Sequence, residues 1–328
     1  MIRLVLRQLF FMVTTFFGVT IITFSLLQLG TQTIPENIGN LANDSIVQQY
    51  FQYLSAIFRG DLGISSVTRV AVTDEFLSHL PASIELVVIA SMMALIVGLP
   101  LGVIAAINHQ KMSDTLINNI SMISYSMPIF WWGILLIMFF SLSLGMTPVA
   151  GRLSFLFDIE PVTGFMLIDT LISNEANHMD AFKDAILHLI LPVIALATLP
   201  TAIITRMTRQ AMLETLSNDY ILTAQANGLS RFKIYWVHGL RNALIPIVEM
   251  LGLQISTLMT GAMLTEYLFS WPGIGKWIID ALEKNDFESL QGGILITTTL
   301  VIFINAFIEL FQIWLNPKLR KKVKIYNG

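Results

Sequence analysis

Apolar residues along this chain fall into six long runs, at about 9–29, 83–107, 119–144, 186–204, 244–268 and 292–315, and the polar residues gather between them. A helix needs roughly 20 predominantly apolar residues to cross the hydrocarbon core of a bilayer. Lipid offers a backbone N–H or C=O no partner, so a lone spanning segment must satisfy those groups within itself. Barrel strands are far shorter and alternate in polarity. The pattern therefore predicts an all-α membrane protein with six transmembrane helices. The first run is long for a signal peptide, and its exit, Leu27-Gln28-Leu29-Gly30-Thr31, lacks a small-x-small cleavage site. It reads as a retained span.

Several runs carry helix breakers: Gly98, Pro100 and Gly102, then Pro128, Pro192, Pro200 and Pro246. Proline removes a backbone donor and can kink a helix. Gly98 and Gly102 have the spacing that lets two membrane helices approach closely. The polar stretches add detail. Residues 51–65 read as a short helix along the membrane interface, ending near Gly60. Trp271-Pro272-Gly273 marks a turn, with Trp271 and Trp277 suited to the headgroup layer. A short helix or re-entrant element is expected over 276–288.

The most informative polar stretch is 217–246, between the fourth and fifth runs. Ser217, Asn218 and Asp219 are all good N-cap residues for a helix over 220–227, and Gly228 suits the left-handed position that ends one. Ser230 can cap a second short helix over 231–238. The result is helix, glycine, helix, lying across the membrane rather than through it. Ala224, Ala226 and Gly228 are small, which would let a partner come close to the backbone. A loop merely resting on the bilayer is the alternative that the residues alone leave open.

Charge orients the chain. Hydrophobic residues make up 55% and charged residues only 12%, with a net charge of −3; a soluble domain has about 25% charged residues. The segments before residue 9, at 108–118, at 205–243 and after 315 hold 13 basic and 3 acidic residues. The segments at 30–82, 145–185 and 269–291 hold 6 basic and 15 acidic residues. Basic loops stay in the cytoplasm, so both termini are expected inside. Four acids remain within the runs. Glu85 and Glu266 stand close enough to an edge to reach water, whereas Glu249 and Glu309 lie deeper and are candidates for a polar pathway.

Catalytic signatures do not emerge. Gly275-Lys276 approaches a phosphate loop, but Ser270 stands where the first glycine belongs and Trp277 where Ser or Thr must bind magnesium. The five histidines are scattered, and without cysteine no disulfide or thiolate metal site can form. The chain reads as no enzyme, with no cofactor and no nucleic-acid partner. A self-powered secondary transporter, or a channel, remains the reading from a different class.

The run Asp219-Tyr220-Ile221-Leu222-Thr223-Ala224-Gln225-Ala226-Asn227-Gly228-Leu229, followed by His238-Gly239-Leu240-Arg241-Asn242-Ala243-Leu244-Ile245-Pro246, resembles the cytoplasmic signature of permeases of the oligopeptide/dipeptide family of ABC importers. Gly60-Asp61-Leu62-Gly63, Pro148-Val149-Ala150-Gly151-Arg152 and Phe269-Ser270-Trp271-Pro272-Gly273-Ile274-Gly275 resemble further motifs of that family. Leu222-Thr223-Ala224 departs from the Glu-Ala-Ala opening of the wider signature. The absent proline-rich element after the first span, together with residues 161–169, is similar to the Sap-type branch, associated with antimicrobial-peptide resistance and in some members with putrescine export.

The resemblance implies a type I importer permease fold and a bacterial inner-membrane location. It implies a heterodimer with a homologous permease, two cytoplasmic ABC ATPase subunits that hydrolyse the ATP, and a periplasmic solute-binding protein. Asp219, Tyr220, Thr223, Ala224, Ala226, Gly228, Leu229 and Arg231 would then form the coupling element seated in the ATPase. The expected organisation is 1–82 as first helix and outer loop, 83–315 as a five-helix core with the coupling loop 205–243, and 316–328 as a basic tail. Peptide import and Sap-type polyamine export are the two expected cargo readings.

Overall fold

The computed structural model describes residues 2–30 and 45–315. Some side chains within those helices, that of Glu249 among them, lie outside the described residues, as does the expected tail 316–328. The helices follow in the order α1 (Ile2–Gly30), α2 (Ile46–Phe58), α3 (Val72–Ile107), α4 (Met112–Ser126), α5 (Ile129–Leu136), α6 (Met166–Ile172), α7 (His178–Leu216), α8 (Asp219–Ala226), α9 (Leu240–Leu268), α10 (Ile274–Glu283) and α11 (Phe287–Leu315). Two stretches are π-helical, Ile137–Ser143 after α5 and Lys233–Gly239 before α9. The described residues carry no strand beyond an isolated bridge between Ile64 and Ala71.

Four described helices are long and apolar enough to cross a membrane, and α4 with α5 makes a fifth crossing if that pair counts as one. The expected fifth run, 244–268, lies in α9, a helix of 29 residues. At 1.5 Å per residue such a helix exceeds the roughly 30 Å hydrocarbon core. The third run is broken: α4 and α5 meet at 105°. Met127 and Pro128 are both extended there, with ψ of 125° and 134°. A residue before proline is pushed out of the α region, and proline has no N–H to close the turn. Pro192 and Pro200 nevertheless stay inside an unbroken α7. Both are buried there, and packing against α4, α5, α6 and α9 holds the helix together.

Two compact units divide the chain, Met1–Ser83 with Pro272–Leu310, and Ile84–Trp271 with Phe311–Gly328. In the second, α3 lies so close to α7 that a Cβ on Gly98 would stand 2.9 Å from the Ile204 Cγ2. One on Gly102 would stand 2.5 Å from the Thr208 Cβ. The small-residue spacing in the sequence is thus a helix-packing seam. Val103, Ala106, Ala211, Met212, Ala243 and Ile247 close the same interface toward one end.

In the first unit, α2 begins with a capping box: Ser45 Oγ accepts from the Gln48 N–H, and Gln48 reaches back to the Ser45 N–H. The helix starts earlier than the expected 51 and ends at Phe58, close to the expected Gly60. It runs back along α1, where Tyr50 and Tyr53 hydroxyls hydrogen-bond Thr20 and Thr23 at 2.9 Å. Those threonines make the polar contacts that a wholly apolar span would lack.

Candidate functional site

The stretch singled out by sequence folds as a short helix and a long lead-in; Asn218 takes the N-cap position, but its side chain makes no capping bond to α8. Asn218 is extended at the N-cap of α8 and turns its side chain back, donating to the Glu214 and Thr215 carbonyls at the end of α7. Gly228 has a φ of +73°. Its N–H donates to the Gln225 carbonyl at 3.0 Å, and the Leu229 N–H donates to the Ala224 carbonyl at 3.2 Å. Those two bonds and the left-handed residue make a Schellman ending. No short second helix follows. The segment from Arg231 runs through the π-helical turn directly into α9, so the lead-in is continuous with that long helix.

This segment sits at the basic-loop end of α3, α7 and α9. Ile221 is fully buried and Ala224 nearly so, pinning one face of α8 to its own chain. The Asn242 amide donates to the Tyr220 hydroxyl at 2.8 Å, tying α8 to the base of α9. Phe232 stacks on Trp236, whose ring packs on the Met212 core. Beside it, Arg209 grips Asp114 with two nitrogens, and the Gln110 N–H donates to the same carboxylate at 3.0 Å. A bidentate guanidinium–carboxylate pair fixes orientation as well as charge. It locks the start of α4 to α7.

Of the residues expected to meet a partner, Asp219, Tyr220, Thr223, Ala226, Gly228 and Arg231 are exposed and Leu229 is half-buried. Ala224 faces inward. Two residues not singled out are more prominent: Leu222 is 58% exposed and Phe232 68%. Their signal was available, since Leu222 follows Ile221 in a polar loop and both cannot face inward on one helix. Glu309 is exposed on α11, whereas the Glu249 side chain lies outside the described residues.

Glu85 and Glu266 correct the sequence reading, for both are buried rather than edge-facing. Glu85 accepts from Arg152 Nε at 3.0 Å, from Arg152 Nη2, and from the Leu167 N–H at 2.9 Å. Arg152 also donates to the Gly164 carbonyl and lies over the Trp271 ring. One buried ion pair thus gathers the loop between α5 and α7 onto α3. Trp271 and Trp277 are buried too, so their rings pack within the fold. The Trp277 indole N–H donates to Glu75 at 3.1 Å, giving its polar edge a partner inside the fold.

Asp286, nearly fully buried in the first unit, accepts from the Ser65 hydroxyl and from the Ser66 and Ser289 N–H groups. Burial alone raises its pKa, but hydrogen bonds from Ser65, Ser289 and Ser66 outweigh that and hold it below the usual carboxylate value. None of these clusters forms a metal site among the described residues.

Long apolar helices, a bent pair and an exposed helix–glycine–helix segment anchored at one end define a membrane-embedded transport subunit. The family comparison agrees: residues 98–321 match the model for the binding-protein-dependent transport system inner membrane component, and the chain belongs to that family. It is 48% identical to the di/tripeptide transport system permease protein DppB of Pseudomonas aeruginosa, covering 98% of this chain and 99% of that one. It is 43% identical to the dipeptide transport system permease protein DppB of Escherichia coli K12, covering 98% and 100%. The putrescine export system permease protein SapB of the same strain is 37% identical, covering 98% of each. The expectation that the chain stands nearest the Sap-type branch is thus corrected: identity to these dipeptide-type permeases is higher than to the Sap-type one.

Proposed function

We propose that this chain is one of two permease subunits of an ATP-driven importer of di- and tripeptides in a bacterial inner membrane. A homologous permease completes the pathway, two cytoplasmic ABC ATPases supply the energy, and a periplasmic binding protein delivers cargo to the acidic loops. Six spans with both termini in the cytoplasm follow the charge distribution, and put α8 on the ATPase side.

The observation that carries this reading is the exposed apolar surface of Leu222 and Phe232, on a segment the chain has otherwise fixed from three directions. Exposed Leu and Phe in a polar loop mark a surface meant to be covered. The two-state motion that alternating access requires would pass from α8 into α9 through the unbroken lead-in. Dipeptide import is favoured over polyamine export by the higher identity to the dipeptide permeases.

Reconstitution of the four-subunit complex in proteoliposomes, with binding protein and labelled dipeptide on the outer side, tests the assignment. Uptake strictly dependent on ATP supports it; ATP-independent uptake, or putrescine export without dipeptide uptake, overturns it. In the same assay Glu249→Gln with Glu309→Gln reports on the pathway. Unchanged uptake and affinity for cationic dipeptides would remove both glutamates from it.

A further inference from the structure

A small cavity of about 110 Å³ lies between α3, α7 and α9, lined by Ser91, Ala94, Leu95, Pro200, Ile204, Gln254 and Leu258. The walls are mostly apolar, yet Gln254 Oε1 is buried there without a hydrogen-bond partner among the described residues. A buried amide oxygen left unpaired has lost its hydration with nothing in exchange. Pro200 has no N–H, so the Leu196 carbonyl one turn earlier in α7 loses its ladder partner. Ser91 Oγ, whose proton goes to the Val87 carbonyl, can still accept. Water occupies about 30 Å³ in the liquid, so the space holds one to three molecules, and water persists in a cavity that offers it 2–4 polar partners.

We infer that this cavity holds ordered water bridging Gln254 to the Ser91 hydroxyl and the Leu196 carbonyl, and that it serves as the hinge about which α7 bends. A kink in a membrane helix needs its freed carbonyl re-satisfied, and ordered water is one of the groups that does so. The bridge supplies that partner in either of two α7 curvatures, because a water reorients where a side chain would have to repack. Close by, Gly98 packs α3 against Ile204 and the Thr201 carbonyl with no space for a Cβ, so the cavity stands beside the one stretch of α7 that both lacks a ladder donor at Pro200 and is held tightly to α3. The hinge role rests on the transport reading; the water does not.

The experiment is a high-resolution electron-density map of the full transporter together with dipeptide uptake by two variants. Water density within hydrogen-bond distance of Gln254 Oε1 is expected in wild type and lost in Gln254→Leu. Uptake is expected to fall about fivefold in Gln254→Leu, a typical size for a change in coupling. It should be largely kept in Gln254→Asn, which retains a carbonyl for water. Leu95→Phe fills the cavity without touching the amide and should slow uptake similarly, a check that does not depend on Gln254→Leu folding well. A dry cavity overturns the inference whatever the transport result. Water with uptake unchanged in both Gln254→Leu and Leu95→Phe overturns the hinge. Wild type that takes up no dipeptide at all indicts the transport reading instead, and leaves the density to decide the water site.

Discussion

Glu85 stands at the start of an apolar run, and its fate turns on a residue 67 positions away. With side chains 4% and 11% exposed, Glu85 and Arg152 form a pair in which each charge needs the other. Removing one partner of a buried ion pair costs about 3–5 kcal/mol, because the remaining charge is stranded. Arg152→Met should therefore lower the thermal midpoint of the detergent-solubilised protein markedly and expose the 152–164 loop to limited proteolysis. Glu85→Gln with Arg152→Met together should recover much of that loss. Thermal unfolding of the three variants checks both statements.

Asp286 gives a pH-dependent counterpart. Its folded pKa lies below its unfolded value, so its contribution is complete above the unfolded pKa and disappears as pH falls through the folded one. The 65–66 segment should accordingly loosen below about pH 4, near the ordinary Asp value. Hydrogen exchange of that segment at pH 5 and pH 3 should show the step in wild type. In Asp286→Asn the segment should be loosened at both values, with the step much reduced.

At the scale of elements, α8 owes its ending to one glycine. The Cβ of an alanine at 228 would meet nothing within 4 Å, so only the left-handed backbone opposes it. That strain is about 1–2 kcal/mol. Gly228→Ala should raise amide exchange over 219–229 by about tenfold, while Gly228→Asn should stay nearer wild type.

This ending was legible in the sequence because the requirement is local: polar cap, short helix, glycine. The spans were legible because lipid sets their length. The bend at Pro128 and the unbroken helix through Pro192 and Pro200 were not separable, since neighbouring helices decide which prolines a helix survives. The second short helix expected over 231–238 proved continuous with α9, because nothing after Arg231 stops the helix and a π-turn absorbs the mismatch. The burial of Trp271 and Trp277 was not legible for a related reason: an indole N–H suits an exposed site and a buried acceptor equally, and only the fold shows that Trp277 meets Glu75.

For the whole molecule, the proposed function requires that energy enter through α8 and pass along α9 into the spans. α8 is held by Tyr220 to Asn242, by Ile221 to the interior and by the Schellman turn to its own lead-in, which leaves Leu222 free to be covered. The chain contains no cysteine, so one introduced thiol reports on a single place in it. Placing the probe at Leu222 also avoids Ala224, whose inward position would confuse a docking defect with a folding defect.

The most direct measurement is co-purification of the ATPase subunits with the tagged chain carrying Leu222→Asp, alongside Leu222→Cys cross-linking to the ATPase in the intact complex. The account predicts that Leu222→Asp remains membrane-inserted yet loses most of the bound ATPase and all ATP-driven uptake, and that Leu222→Cys cross-links to it. ATPase retained at the wild-type level by Leu222→Asp, with uptake intact and no cross-link from Leu222→Cys, would contradict it.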